Sequence, residues 1–367
     1  MRFIDEFRDP AAARTLLGKI EGSLDRLAPS RPLQIMEFCG GHTHAIFRYG
    51  LHQMLPETVE WVHGPGCPVC VLPRERIDCA IALTLKHGVT LTCFGDVLRV
   101  PGTVGTLLEA RGQGADVRIV YSPLDALALA RQNQDLQVVF FAIGFETTAP
   151  ATAFTVLQAA AEMMPNFSVL CQHLTTPQAV RALLADPGLV LDGIIAPGHV
   201  STILGTEAFG FIAEGFAIPV VVSGFEPLDI LQSLRMLLRQ LESGCCRLEN
   251  QYTRVAKANG SLQAQAAMER VFEPAPSAAW RGLGEIPNSS LRLRDEYAYY
   301  DAERRFFLGA VESRDDPLPC GEVLKGRMKP SQCPHFADRC RPDDPLGALM
   351  VSSEGACAAW YRYGRQA

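Results

Sequence analysis

The stretch VVFFAIGFETTAP at residues 138–150 places an unbroken apolar run directly before a turn that begins with glycine. The run from Val138 to Gly144 has the length of a buried strand, and the polar residues after it are typical of a helix start. A second stretch, IPVVVSGFEPLDI at residues 218–230, has the same order of apolar run, Gly-Phe-Glu and helix-like segment. Apolar strands that lead into helices are typical of parallel α/β units.

Other strand-like runs of this kind extend through residues 33–223, and helix-like segments follow them. We therefore expect an α/β fold with two tandem Rossmann-like units, each containing a parallel four-stranded sheet. The predicted units span residues 32–135 and 136–243. Residues 1–31 are expected to form a helix that packs on the C-terminal region, because a short helix needs a partner. Residues 244–367 are expected to form a smaller domain rich in loops and helices. The remaining runs are LQIMEF, VEWVHG, VTLTCFG, VRIVYS, FSVLCQ and GIIAPG.

Composition narrows the class of protein. The chain has 367 residues, of which 48% are hydrophobic and 20% charged, as in globular proteins. A net charge of -6 gives no electrostatic case for binding nucleic acid. The apolar runs are too short to span a bilayer, and the N-terminus lacks the apolar core of a signal peptide. We expect a cytoplasmic protein that binds neither nucleic acid nor a membrane.

Polar and sulfur-bearing turns follow the predicted strands. In open parallel sheets, ligands bind beyond the carboxyl ends of the strands, so these turns are the expected site. Glu146, Thr147 and His199 lie in such turns and could stabilise a bound ligand. A threonine at a helix start is otherwise usually a cap. The turns are Cys39–His42, Gly64–Cys67, Gly95–Asp96, Gly144–Thr147, Gly198–His199 and Gly224–Glu226.

Cys39 follows a strand-like run in MEFCGGHTHAI at residues 36–46, and two glycines separate it from His42. The glycines allow a ligand to approach the backbone, and the amides of a helix start stabilise a thiolate or an anion. His42 can accept a proton or bind a metal. The alternative is a turn cysteine without chemistry, capped by Thr43.

Cys67 and Cys70 form a Cys-x-x-Cys pair in HGPGCPVCV at residues 63–71. At a helix start such a pair gives a reactive thiolate, and two thiols this close can form a disulfide reversibly. The same motif occurs in zinc ribbons, although the chain has no second pair to complete one. A redox dithiol, half of a metal site and buried sulfur in a loop all stay open at this point.

The tail contains Cys320, Cys333, Cys340 and Cys357 in a segment rich in proline and glycine. Four cysteines can close a metal centre that replaces a missing core. Structural zinc favours shorter Cys-x2–4-Cys intervals, whereas iron–sulfur clusters accept varied spacings. His335 could replace one cysteine as a zinc ligand. The pattern favours a cluster over zinc, and a cluster beside the dithiol could supply electrons to it.

Together these blocks resemble the HypD family of [NiFe]-hydrogenase maturation factors, from about residue 35 to residue 360. The resemblance implies two Rossmann-like units and a cluster domain. The matching blocks are MEFCGGHTHAI, HGPGCPVCV, FGDVLRVPG, GFETTAP, APGHVSTILG, GFEPLDIL, and CGEVLKG, CPHF and VSSEGACAAWY in the tail.

The resemblance also implies a function. HypD-like proteins are expected to form a complex with a HypC-type chaperone, on which an Fe(CN)2CO unit is assembled. HypE, with HypF, supplies the cyanide. Cys39 would help to hold that iron, with Cys67 and Cys70 as a redox-active pair associated with it. The four tail cysteines would hold a [4Fe-4S] cluster. Such a protein is a redox-active assembly scaffold more than a conventional enzyme.

Two alternatives use part of the same chemistry. A cluster-dependent disulfide reductase would use the dithiol and the cluster but would leave Cys39 and His42 without a role. A structural protein with a zinc-stapled tail would need no redox chemistry. A nucleotide hydrolase has no support, because the sequence contains no P-loop.

Overall fold

The computed structural model describes residues 5–308 and 316–364. Numbered along the chain, the strands are β1 Leu33–Glu37, β2 Val59–His63, β3 Thr90–Cys93, β4 Val117–Ile119, β5 Val138–Gly144, β6 Phe167–His173, β7 Gly193–Pro197, β8 Val220–Ser223, β9 Leu248–Asn250, β10 Phe272–Pro274, β11 Ser277–Trp280, β12 Gly284–Pro287 and β13 Leu291–Leu293.

The α-helices are numbered in the same way. They are α1 Pro10–Leu27, α2 Gly40–Arg48, α3 Leu51–Met54, α4 Arg74–His87, α5 Leu107–Gly112, α6 Pro123–Gln132, α7 Ala149–Ala161, α8 Thr176–Leu184, α9 Gly198–Leu204, α10 Gly210–Phe216, α11 Pro227–Ser243, α12 Leu262–Val271, α13 Ala302–Arg305, α14 Cys320–Leu324 and α15 Ala356–Tyr363. Short 3-10 turns lie at Asp5–Arg8, Gly95–Arg99, Thr206–Phe209, Asp295–Tyr300, Pro330–Gln332 and Ala348–Met350.

Two all-parallel sheets form the body of the protein, which confirms the predicted α/β class with two Rossmann-like units. The first sheet has the order β2-β1-β7-β8-β9, and the second has the order β4-β3-β5-β6. Each sheet is apolar on both faces and is covered by helices, as parallel sheets require. Two short antiparallel pairs, β10-β13 and β11-β12, lie in the C-terminal region.

The sheets are not built from consecutive halves of the chain. β1 and β2 pair within the first sheet, the chain then forms the whole second sheet, and it returns with β7, β8 and β9. The predicted boundary at 135/136 therefore does not separate the two sheets. Apolar runs identify strands, but long-range contacts decide which strands pair.

The first sheet also has one more strand than predicted. β9 pairs in parallel with β8 at the edge of the first sheet, so the described part of this sheet has five strands. The residues of β9 are only half-buried, and its sequence Leu-Glu-Asn has no apolar run. An edge strand of this kind is held by backbone pairing and leaves little hydrophobic pattern in the sequence.

The N-terminal helix does not pack mainly on the C-terminal region as predicted. α1 packs on α11 in a core that includes Ile20 and Leu24. Arg26 pairs with Glu242 at the end of α11, at 2.7 Å. An amphipathic helix packs on the nearest exposed apolar stripe, and α11 presents one alongside the first sheet. The turn that precedes α1 does contact the C-terminal region, where Arg254 lies over the Phe7 ring.

The cysteine-rich tail packs into the body of the protein. Cys340 and Cys357 belong to the same hydrophobic core as Cys67 and Cys70. Arg99 donates hydrogen bonds to the carbonyl oxygens of Pro342, at 2.9 Å, and Val351, at 3.3 Å. The tail is therefore attached directly to the units that carry the other sulfur groups.

Candidate functional site

The carboxyl ends of four neighbouring strands gather most of the predicted site. β2, β1, β7 and β8 are consecutive in the first sheet, and the segments that follow them carry Cys67, Cys39, His199 and Phe225. His199 is the second residue of α9. Parallel strands end at the same edge of their sheet, which explains why residues far apart in sequence meet here.

Glu37, the last residue of β1, fixes the turn that carries Cys39. Its carboxylate accepts the Cys39 amide, at 2.8 Å, and the Thr43 hydroxyl. His63 Nδ1 lies 2.8 Å from the same carboxylate. Glu37 is fully buried, so these bonds satisfy a charge that apolar surroundings would not tolerate alone. The network holds β1, β2 and α2 together beneath Cys39.

Cys39 occupies the N-cap position of α2. The Cys39 carbonyl oxygen accepts the His42 amide, at 2.8 Å, and the nearby amides of Gly41 and His42 favour negative charge on the sulfur. Burial raises the pKa of the Cys39 thiol well above its usual range, and the charges of Glu354 and Glu37 add to this effect. Cys39 is therefore a protonated thiol in the free protein and would give up its proton to a metal cation.

Glycines allow three chain segments to meet at Cys39. Gly40 donates its amide to the carbonyl oxygen of Gly66, at 2.9 Å. A Cβ on Gly66 would overlap the Cys39 backbone, so only glycine fits this approach. On the other side, Glu354 of the tail packs on Gly40, with Oε2 2.9 Å from the position of a Cβ there. Cys39 thus lies between the turn that leads to Cys67 and the tail.

Cys67 and Cys70 are joined as a disulfide, with their Cα atoms 5.2 Å apart. They lie in a turn ahead of α4, which begins only at Arg74, and not at the start of a helix. Their exposed fractions are 4% and 2%, so the pair is shielded from solvent. Cys70 Sγ lies 3.1 Å from the position of a Cβ on Gly355, which places the disulfide against the tail.

His42 is buried and neutral. Its Nε2 donates to the carbonyl oxygen of Gly224, at 3.0 Å, while Nδ1 is buried without a partner among the described residues. Burial lowers the pKa of the imidazole. The Phe225 ring stacks with His42, at a centroid distance of 4.4 Å, and with His199, at 3.7 Å. The predicted residues His42 and His199 thus share one aromatic partner beside Cys39.

Glu146 and Thr147 lie at the other sheet, in the turn after β5. The Glu146 carboxylate accepts the Thr176 amide, at 2.7 Å, and the Thr176 hydroxyl, at 2.8 Å. Burial raises the pKa of Glu146 to about 7. These bonds cap the start of α8, and Thr147 is exposed. The structure brings neither residue into the group around Cys39, so their predicted role toward a ligand stays a prediction.

The four tail cysteines line one small cavity. Burial raises the pKa of Cys357 well above its usual range, and the other three cysteines add to this effect, which shows how close they lie. In the described ranges, no group of three or more His, Cys, Asp or Glu side chains is arranged to hold a single metal ion. The cavity is lined by Cys320, Cys333, Cys340 and Cys357, together with Leu318, Pro319, His335, Phe336, Leu346, Gly347, Leu349 and Met350.

This donor set fits an iron–sulfur cluster. In a [4Fe-4S] cluster each thiolate binds a different iron atom, so the sulfur atoms stand further apart than around one zinc ion. The apolar walls would also exclude water from such a cluster. Gly347 leaves space at Cys320, because a Cβ there would lie 2.6 Å from the Cys320 sulfur.

The motif analysis missed several residues of this site. Glu37 and Glu354 are acidic side chains beside Cys39, and His63 orients Glu37. Burial raises the pKa of Glu354, and the charges of Asp96 and Glu37 act in the same direction. A charged residue at the end of an apolar strand, as in LQIME, is the one signal that could have pointed to Glu37.

The chain is similar to a family of known proteins over nearly its whole length. The family model HypD, described as "Hydrogenase formation hypA family", matches residues 11–364. The hydrogenase maturation factor HypD of Rhodobacter capsulatus is 52% identical, over 99% of this chain and 98% of its own length. HypD of Azotobacter vinelandii is 52% identical over 100% and 98%, and HypD of Escherichia coli K12 is 51% identical over 100% and 99%.

The described residues contain no helix that is long and apolar enough to cross a membrane. These relatives match essentially the whole chain, at 51–52% identity. The chain belongs to the HypD family of hydrogenase maturation factors.

Proposed function

We propose that this maturation factor is the scaffold on which the Fe(CN)2CO unit of [NiFe] hydrogenases is assembled, in complex with a HypC-type chaperone. HypE, working with HypF, would donate the cyanide, and assembly would take place in the cytoplasm. The observation that carries the proposal is the position of Cys39 between the Cys67–Cys70 turn and Glu354 of the tail.

The iron that is assembled is the cargo, and Cys39 is its proposed ligand. Low-spin iron(II) carrying cyanide and carbon monoxide is a soft metal centre, for which a thiolate is a suitable ligand. A further thiolate from the HypC-type partner would complete the attachment. Cys67 and Cys70, which follow the glycine turn packed on Cys39, are the nearby thiols that could bind iron when reduced.

Groups at the same sheet edge can stabilise cyanide ligands. Cyanide is anionic, and the amides of Gly41 and His42 point toward the Cys39 sulfur. His42 is held by Gly224 on one side and by the Phe225 ring on its face, so its position is fixed before a ligand arrives. His199, on the same ring, is a second candidate.

The tail is proposed to hold a [4Fe-4S] cluster through Cys320, Cys333, Cys340 and Cys357. When bound, such a cluster exchanges single electrons. The thiols reach it from a loop-rich segment in which α14 and α15 are the only α-helices among described residues 316–364. The protein supplies an apolar cavity for it.

Cys67 and Cys70 are proposed to alternate between a disulfide and two thiols. Exchange with an external dithiol would break the Cys67–Cys70 bond, form a disulfide in the reductant, and leave a hydrogen on each cysteine sulfur. The reduced pair could then bind iron, and its reoxidation by an external disulfide would remove two thiolates and favour release of the cargo.

The geometry favours a scaffold over a disulfide reductase. A reductase would need the Cys67–Cys70 disulfide, which is 4% and 2% exposed, to open to substrate in every turnover, whereas a scaffold needs it open only when iron is loaded and released. A reductase would also leave the Glu37 network around Cys39 without a purpose. The zinc-stapled alternative is less favoured, because no donor group in the described ranges is arranged for a single ion.

The test is an infrared spectrum of the anaerobically purified protein, co-expressed with its partner proteins. We expect bands from metal-bound cyanide and carbon monoxide in the wild type and their complete loss in Cys39→Ala. Cys245→Ala, at an exposed cysteine, is the matched control and should keep the bands. Bands of full intensity in Cys39→Ala would reject Cys39 as the attachment point, and their absence from the wild type would reject the scaffold.

A further inference from the structure

One turn of the C-terminal region contacts both proposed redox groups. The Arg281 amide donates to the carbonyl oxygen of Val71, at 2.8 Å, and Val71 follows Cys70 directly. The next residue, Gly282, packs on Gly321, where a Cβ on Gly282 would lie 2.8 Å from Gly321 Cα. Gly282 has a φ of 77°, a conformation that favours glycine. The turn therefore lies between the disulfide and Cys320, the first tail cysteine.

The Arg281 side chain forms a buried ion pair at this position. Its Nε lies 2.5 Å from Asp316 Oδ2, and the two side chains are 2% and 3% exposed. Nη1 donates to the carbonyl oxygen of Pro101, at 3.0 Å. Nη2 is buried without a partner among the described residues. A buried charge pair with an unused donor is costly, so a role beyond packing is expected.

Both charges lie beside the segment that carries Cys320. Asp316 Oδ1 accepts the amide of Leu318, at 3.1 Å, and Leu318 lines the cavity with Cys320, while Gly282, next to Arg281, packs on Gly321. Charges interact strongly here, because little water separates the groups. Fixed charges and hydrogen bonds near the sulfur atoms are among the factors that set the potential of an iron–sulfur cluster.

We propose that Arg281 and Asp316 are positioning residues for the cluster held by the tail cysteines. Arg281 raises the reduction potential of this cluster, and Asp316 lowers it. The inference rests on the proposed function, because it requires a cluster at this cavity. Reduction adds one electron and one negative charge to the cluster. Arg281 stabilises the reduced form, whereas Asp316 stabilises the oxidised form.

An EPR-monitored redox titration of the purified protein, with dithionite as reductant, tests the assignment. Arg281→Met should lower the potential and Asp316→Asn should raise it. The expected size is at least a tenfold change in the ratio of reduced to oxidised cluster at a fixed potential, which equals 59 mV for a one-electron couple. The double variant should return close to the wild type, and Arg281→Lys should shift less than Arg281→Met.

The matched control is Arg254→Met. Arg254 also forms an ion pair with a buried aspartate, Asp229 of α11, but it lies over the rings of Phe7 and Tyr252. Its loss should leave the potential unchanged. A purely structural role for Arg281 would lower the iron and sulfide content in both single variants without opposite shifts.

If Arg281→Met does not retain its cluster, Asp316→Asn and Arg281→Lys decide the question. An Asp316→Asn potential equal to the wild-type value, or shifted downward, would overturn the assignment. Wild-type protein that contains neither iron nor sulfide after anaerobic purification would instead contradict the proposed function. The two failures are therefore distinguishable.

Discussion

The tripeptide Gly-Phe-Glu occurs at the carboxyl edge of both sheets and has a different role at each. At the first sheet, Phe225 stacks on His42 and His199 beside Cys39, and Glu226 pairs with Arg8. At the second sheet, Phe145 is buried against Trp280, at a centroid distance of 5.7 Å. The same strand–turn–helix geometry serves a site at one edge and packing at the other.

The neighbouring strands explain this difference. The first edge collects turns from β2, β1 and β7, which carry the cysteines and His199. The turn after β5 at the second edge instead packs on α8 and Trp280. Glu146 bonds the start of α8, and Phe145 stacks on Trp280. A local motif thus predicts a turn, and the residues around it decide whether that turn binds a ligand.

Substitution of Phe145 and of Phe225 should distinguish a loss of stability from a loss of assembly. Phe145→Ala removes a fully packed ring and should cost about 3–5 kcal/mol in the free energy of unfolding. Phe225→Ala should cost roughly half of that or less, because Phe225 is only half-buried. Denaturant unfolding measures both changes.

The infrared bands should respond in the opposite order. Phe225→Ala should weaken or shift the cyanide bands, whereas folded Phe145→Ala protein should keep their positions. Band positions that change in Phe145→Ala and not in Phe225→Ala would remove the functional distinction between the two edges.

Two glycines offer a second comparison. A Cβ on Gly66 would overlap the Cys39 backbone, which cannot move away cheaply, so Gly66→Ala should cost about 3 kcal/mol and abolish the infrared bands. A Cβ on Gly144 would meet the side chain of Thr148, whose Oγ1 can rotate away from its bond to Phe145 but whose Cβ, 2.9 Å away, must shift slightly. Gly144→Ala should therefore cost about 1–2 kcal/mol, less than Gly66→Ala, and keep the bands. Equal costs in the two variants would contradict this explanation.

Glu146 should make stability depend on pH. Burial raises its pKa to about 7, above the ordinary 4.5, so the folded state binds its proton more tightly than the unfolded state. Glu146 therefore stabilises the folded state fully below about pH 4.5. As the pH rises toward 7, the free energy of unfolding falls by about 2–3 kcal/mol.

Unfolding measured at pH 5 and pH 8 tests this sign. Glu146→Gln should be less sensitive than the wild type, so its stability relative to the wild type should rise between the two pH values. A difference between the proteins that stays constant from pH 5 to pH 8 would show that Glu146 does not titrate in this range.

Two buried histidines should give small changes in stability. His42 lies at the first edge, and His173 at the end of β6 bonds Thr152, at 2.9 Å, in the second sheet. Glutamine at either position should cost about 1–2 kcal/mol, because one buried hydrogen bond changes. Only His42→Gln should shift the cyanide bands. Equal shifts in both variants would argue for a general loosening of the fold.

Much of this organisation could be predicted from the sequence. Apolar runs located the buried strands, and the rule that ligands bind at carboxyl ends selected Cys39, Cys67 and His199. The pairing of β1 with β7 could not be predicted, because pairing depends on contacts between segments about 160 residues apart. β9 was not predicted, because an edge strand needs no apolar run.

The site residues that were missed have a common physical reason. Glu37, Glu354 and Arg281 are charged, and a charged residue in a sequence is exposed unless a partner far along the chain neutralises it. Glu37 bonds His63, Arg281 pairs with Asp316, and Glu354 packs on Gly40, where burial raises its pKa. These contacts exist only in the folded chain, so no local pattern marks the residues.

An anomalous difference map at the iron absorption edge tests the division between the two edges most directly. Crystals would be grown from protein purified anaerobically after co-expression with the partner proteins. We predict one iron peak beside the Cys39 sulfur at the first sheet and a second in the cavity lined by Cys320 and Cys357. An iron peak at Glu146 on the second sheet, or none at Cys39 in protein that shows the cyanide bands, would contradict the assignment of the site.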